Sequence, residues 1–190
     1  RAEPSAPPPI ASADARTDSG AETPIAVSVR ATAQTGGSAL VIAPADWAFA
    51  KKALGEVSRT FARPIALLPD RLEVAVTLGY LLCRIADTVE DHVAVGADVR
   101  DKLFADFLGV LEKDEEASAF ERGMHKVPGD DEELSLARHL STVMRIFDAQ
   151  DAHTRAATVR WVTEMARGMA LYAHRPKGDD GIIALHTTTD

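Results

Sequence analysis

Residues 70–91 read DRLEVAVTLGYLLCRIADTVED. Leu72, Val76, Gly79, Leu82, Ala86 and Val89 recur at three- and four-residue spacing, the period of a helix with an apolar face. No proline interrupts the run, and Pro69 stands just ahead of it, where a first-turn proline is tolerated. The spacing predicts one long helix. Its apolar turns lead into three acids, Asp87, Glu90 and Asp91.

Helical periodicity extends to both sides. Upstream, WAFAKKALGEV at 47–57 places Trp47, Ala50, Leu54 and Val57 in register for a helix beginning near Pro44 and Asp46. SRTF follows at 58–61, and Pro64 is expected to end or kink that helix. Downstream, Asp98 or a neighbour caps a helix reaching Leu111, and the acidic stretch 112–116 is a solvated turn or helix end. PGDDEE at 128–133 reads as a loop into a helix from about Glu132 to Phe147. Asp151 or Thr154 starts a last long helix through Val159, Val162, Met165, Ala166 and Met169 to Tyr172, stopped by Pro176, Gly178 and Gly181. Only residues 25–30 alternate weakly, as a candidate edge strand. The predicted class is all-α. Residues 1–43, with Pro4, Pro7, Pro8 and Pro9 close together and the pair Gly36 and Gly37, read as a flexible tail, and 44–190 as the helical domain.

Composition narrows the function. Aromatic residues are 5% of the chain, so the core is expected to rest on Leu, Ala, Val and Ile. A net charge of -8 argues against non-specific nucleic-acid binding, although metal ions can still bridge an acidic protein to an anionic substrate. Cys83 is the single cysteine, which excludes an intrachain disulfide and a thiolate zinc site. No apolar run is long enough to span a membrane, and the chain does not open on the apolar core of a signal peptide. HExxH, Walker and GxGxxG motifs are absent, and no Ser-His-Asp pattern surrounds Ser58.

The acids carry the chemistry. Asp87 and Asp91 are four residues apart and Glu90 is three from Asp87, so all three lie near one helix face. Crowded carboxylates there suit a hard cation such as Mg²⁺, which takes one or two carboxylates together with substrate phosphates. The alternative is a solvated helix end. Arg84, three residues before Asp87, either holds a carboxylate in a salt bridge or touches a phosphate. Tyr80 either points into the same cavity or only packs. Ser58 and Arg59 offer a hydroxyl and a cation suited to phosphate oxygens, beside Phe61; helix-end packing is the alternative. Met165, Gly168 and Met169 form a small, soft patch that suits a lipid chain or ordinary core.

SRTFARPIALLP at 58–69 and VAVTLGYLLCRIADTVED at 74–91 resemble the squalene/phytoene synthase family, and its squalene synthase branch most. EMARGMALYAHR at 164–175 resembles the helix that lines that family's prenyl pocket. The resemblance implies an isoprenoid-synthase-type helical bundle, incomplete in this chain. It also implies a Mg²⁺-dependent enzyme that joins two prenyl diphosphates head to head. Metal ligands fall on Asp87, Glu90 and Asp91, with Tyr80 and Arg84 beside them in catalytic roles. Substrate contacts fall on Ser58, Arg59, Phe61, Arg84, Met165, Gly168 and Met169. NADPH enters by the resemblance only, as the reductant of the squalene branch. Family members continue past a segment like GIIALHTTTD (181–190) to a second acidic motif, so a continuation or second chain is the expected partner. The isolated chain is then expected to be inactive. A cytoplasmic location, with peripheral membrane contact left open, is the corresponding expectation. A phytoene synthase-type condensation and a non-catalytic prenyl-lipid-binding or assembly subunit are the alternatives.

Overall fold

The computed structural model describes residues 40–113 and 115–173, and the regular secondary structure among them is entirely helical. The helices are α1 (Pro44–Val57), α2 (Arg59–Ile65), α3 (Asp70–Asp91), α4 (Ala97–Glu112), α5 (Ala117–Met124), α6 (Glu132–Ala137), α7 (Leu140–Asp148) and α8 (Ala152–Tyr172). The candidate strand at 25–30, nearly all of the 1–43 tail and the stop signals Pro176, Gly178 and Gly181 lie outside the described residues. Leu40 and Ile42, at the tail's end, pack against the core. Among the described residues no helix is long and apolar enough to cross a membrane.

The long helix α3 is central, with α1, α4, α6, α7 and α8 against it. Its buried side is Val74, Leu78, Leu81, Leu82, Ile85, Ala86 and Val89. This divides the apolar repeat read from sequence. Leu82, Ala86 and Val89 are core, but Leu72 is 49% and Val76 is 36% exposed. The helix is apolar on more than one side, and periodicity alone does not tell which side finds neighbours.

Three boundaries differ from expectation. The first helix breaks at Ser58, not at Pro64. Ser58 is extended, and its Oγ accepts from the Phe61 amide at 3.3 Å, which caps α2. Helix α2 then runs through Pro64 to Ile65. The single helix expected over 132–147 is two, α6 and α7, because His139 leaves helical geometry at φ -121° and ψ 31°. The Arg138 guanidinium, just before it, donates to the carbonyls of Met124, Val127 and Gly129 at 3.3, 2.6 and 2.9 Å. That clamp ties the break to the end of α5. Helix α5 itself escaped the sequence reading because two turns are too short for a clear period.

Phenylalanines occupy the centre despite the low aromatic content. Phe104, Phe107, Phe120 and Phe147 are almost fully buried, and the Phe107 and Phe120 rings lie 5.7 Å apart. Arg145 of α7 grips both carboxylate oxygens of Asp46 in α1, at 2.9 and 2.7 Å. The guanidinium holds that carboxyl below its usual value.

Candidate functional site

The C-terminal end of α3 is electrostatically uncomfortable. Helix carbonyls already concentrate partial negative charge there, and Glu90 and Asp91 add to it in the last turn. Each such acid costs about 0.3–1 kcal/mol where it is not compensated. Nearby cations offset part of this. Arg100 of α4 donates to the carbonyls of Val89 and Val95 at 3.3 and 3.2 Å. The Arg84 guanidinium lies 3.5 Å from the Asp87 carboxylate and donates to Glu133 of α6 at 3.0 Å. The half-buried end of α3 thus gathers three acids and two guanidinium groups within a few turns.

Asp87 is half-buried and Asp91 is exposed. Burial pushes the Asp87 carboxyl above its ordinary value; Arg84 opposes the shift and Asp91 adds to it. Burial likewise raises the Cys83 thiol, with Asp87 contributing. Among the described residues, no three His, Cys, Asp or Glu side chains converge into a ready metal cradle. The donor chemistry of Asp87, Glu90 and Asp91 nevertheless fits a hard divalent cation. In general, Mg²⁺ is held by one or two carboxylates together with oxygens of a bound ligand.

An apolar wall leads to these acids. Leu72, Val76, Gly79, Tyr80 and Cys83 follow three- and four-residue spacing along α3, and the same face continues to Asp87. Phe61 of α2, 54% exposed, meets the Tyr80 ring at a centroid distance of 5.5 Å. The structure thus joins two residues that lie nineteen positions apart in sequence. Ser58, which positions Phe61, spends its oxygen on the α2 cap but keeps its hydroxyl proton to donate. Arg59 is exposed and lines a shallow recess with Arg63 and Thr60. Helix α8 lies alongside α3. Its Met165 and Met169 are half-buried against the core, and a side chain added at Gly168 would meet nothing within 4 Å. No described part of the chain packs closely on Gly168.

No role was legible in the sequence for Asp131 and Glu133, which stand where the 128–133 loop runs into the helix expected from about Glu132. Asp131 caps α6 by accepting from the Leu134 amide at 2.9 Å, and His92 Nε2 lies 2.9 Å from its other oxygen. Burial works to raise the Asp131 carboxyl, but the Leu134 amide and His92 prevail and hold it below its usual value. The start of α6 is thereby pinned beside the end of α3. An acid two residues after an N-cap is a signal of helix polarity only; contact across 49 positions is visible in the fold alone. A double-mutant cycle of Arg84→Gln and Glu133→Gln is expected to give a coupling of about 1 kcal/mol in urea melts. Strict additivity would show that the pair holds nothing.

A model for the squalene/phytoene synthase family matches residues 54–182. The chain is similar to a squalene synthase of Nicotiana benthamiana, 30% identical over 127 residues, which are 67% of this chain and 29% of that protein. It is similar to a squalene synthase of Solanum lycopersicum, 41% identical over 61 residues, 32% of this chain and 15% of the other. The squalene synthase BSS of Botryococcus braunii is 29% identical over 131 residues, 68% of this chain and 27% of its own. The chain thus spans less than a third of the length of these curated relatives. The family match runs over most of the chain and takes in the Ser58 cap and the helices that carry Phe61, Tyr80, Asp87 and Met165, so this chain belongs to the squalene/phytoene synthase family.

Proposed function

We propose that this chain supplies one wall and one acidic cluster of an enzyme that joins two prenyl diphosphates head to head, farnesyl diphosphate to squalene or its presqualene intermediate. The observation that carries the proposal is the exposed apolar face of α3, which runs past Tyr80 into Asp87, Glu90 and Asp91. An amphipathic substrate laid on this face would set its hydrocarbon on Val76, Phe61 and Tyr80 and its diphosphate at the acids. Met165 and Met169 on the neighbouring α8 would line the chain's path, with Gly168 leaving room beside them.

In this reading Asp87, Glu90 and Asp91 are metal ligands. Mg²⁺, when bound, neutralises the diphosphate and stabilises it as a leaving group. Arg84 is held between Asp87 and Glu133, so its guanidinium is oriented before a substrate arrives and presents a cation to the departing diphosphate. Arg59 and the Ser58 hydroxyl serve the diphosphate oxygens. The paired rings of Tyr80 and Phe61 offer π-faces that favour a carbocation over water. The second diphosphate and its metals need acids from a continuation or partner chain. Reduction by NADPH rests on the squalene-branch resemblance alone.

The test is product analysis. The chain, joined or co-expressed with the remaining part of a family-length protein, is supplied with isotopically labelled farnesyl diphosphate and Mg²⁺. The expected products are the cyclopropyl diphosphate without NADPH and squalene with it. A phytoene-type product from a longer prenyl diphosphate would move the assignment to the other branch. Tight prenyl diphosphate binding with no condensation in any arm would replace the enzyme by a lipid-binding subunit.

A further inference from the structure

A cleft of about 300 Å³ lies between α4, α5 and the loop after α5. Its floor is apolar, with Leu103 and Val127 almost fully buried and Pro128 beside them. Gly123 sets that floor. A side chain there would stand 2.7 Å from Leu103 Cδ2, so the two helices approach as closely as glycine allows.

The rim has the opposite charge to the end of α3. Lys102 donates to both oxygens of the buried Asp106 carboxylate at 2.7 Å, and this pair is neutral overall. Arg122 and Lys126 also line the cleft; both are exposed, and neither forms a salt bridge with a described residue. Two cations with no ion-pair partner among the described residues, over an apolar floor, stand out in a chain with a net charge of -8. The volume falls at the lower end for small-molecule sites, which begin at about 300 Å³ and combine apolar lining with a few placed polar groups.

We propose that this cleft binds an amphipathic anion, an aliphatic chain of modest length ending in a phosphate or carboxylate. The hydrocarbon lies on Val99, Ala119 and Pro128, over the buried Leu103 and Val127, and the head group sits between Arg122 and Lys126. The cleft shares no residue with the Asp87–Glu90–Asp91 group, so this site stands or falls independently of the condensation chemistry.

Calorimetric titration of the 190-residue chain with decyl phosphate and with decanoate, each below its micelle concentration, tests the proposal. Saturable one-to-one binding is expected for at least one of them, and the tighter ligand identifies the head group. Decanol and inorganic phosphate should each bind about ten-fold more weakly or worse, since each supplies only half of the recognition. The double variant Arg122→Glu with Lys126→Glu should weaken binding by about ten-fold or more, because two attractive charges become repulsive. Added salt should weaken it as well. Equal binding of decanol, equal binding of phosphate, or unchanged affinity in the double variant would overturn the proposal. A decyl phosphate carrying a diazirine at the chain end gives a readout on the unmodified protein, independent of how the variants fold. Its label is expected within residues 94–128. Label concentrated on the exposed faces of α3 or α8 would also overturn it.

Discussion

Replacing Asp87 or Asp91 by asparagine is expected to lower the rate of diphosphate ionisation in the assembled enzyme by about a hundred- to a thousand-fold, a loss of ~3–4 kcal/mol in transition-state stabilisation. Asparagine keeps the size and one oxygen but removes the full charge that would hold the metal. The loss falls on the transition state, where charge on the departing diphosphate is greatest. The fold should not suffer. Burial already raises the Asp87 carboxyl, so its charged form opposes folding in the metal-free chain. The Asp87→Asn chain should therefore melt higher than the parent at neutral pH. The sign follows from linkage: the penalty on a carboxylate with a raised folded-state value is complete above that value. It disappears as pH falls below the ordinary 3.8. Kinetics across a magnesium titration, beside melts at neutral and acid pH, check both halves. A near-normal rate with unchanged magnesium dependence in both variants would remove the acids from the metal site.

The 190-residue chain by itself is expected to yield no detectable condensation product. The acids proposed here as metal ligands form a single group, Asp87, Glu90 and Asp91, and the reaction proposed for the chain handles two diphosphates. Its apolar wall also lacks a cover among the described residues: Leu72, Val76 and Phe61 are exposed, as are Trp161 at 60% and Leu171 at 63% on α8. An exposed apolar surface of this kind drives association in water. Sedimentation should therefore show the isolated chain self-associating. Leu72→Glu combined with Trp161→Glu should reduce that association with little change in melting temperature, since Leu72 is 49% and Trp161 60% exposed. Supplying the rest of a family-length protein should restore turnover and suppress association together. Turnover by the mass-verified chain alone would refute the division of labour proposed here.

These two expectations join the electrostatics of one helix end to the hydrophobicity of one helix face. Both features sit on α3: burial raises the Asp87 carboxyl, and Leu72 and Val76 stand exposed. The Arg84–Glu133 contact shows how the described fold copes meanwhile. A guanidinium shared between two half-buried carboxylates limits repulsion without filling the site.

Local order determined much that was legible in the amino-acid sequence. The long α3, the start of α1 and the span of α8 follow from period and end signals, which act over a few residues; Asp151 caps α8 through the Thr154 amide. The acids at Asp87, Glu90 and Asp91 were legible too, because three- and four-residue spacing places them on one face whatever the surroundings. Tertiary structure decided what depends on neighbours distant in the chain. It buried Val74, Leu78, Leu81 and Ile85 of α3 and left Leu72 and Val76 exposed, a choice between two apolar sides that no period contains. It broke the 132–147 segment at His139 through the clamp of Arg138 on three carbonyls, and it drew Phe104, Phe107, Phe120 and Phe147 into the centre. It also brought Glu133 to Arg84 and Phe61 to Tyr80. Helix signals are energies of a single turn, whereas the choice of buried face and of ion-pair partner is settled only when whole helices compete for the same contacts.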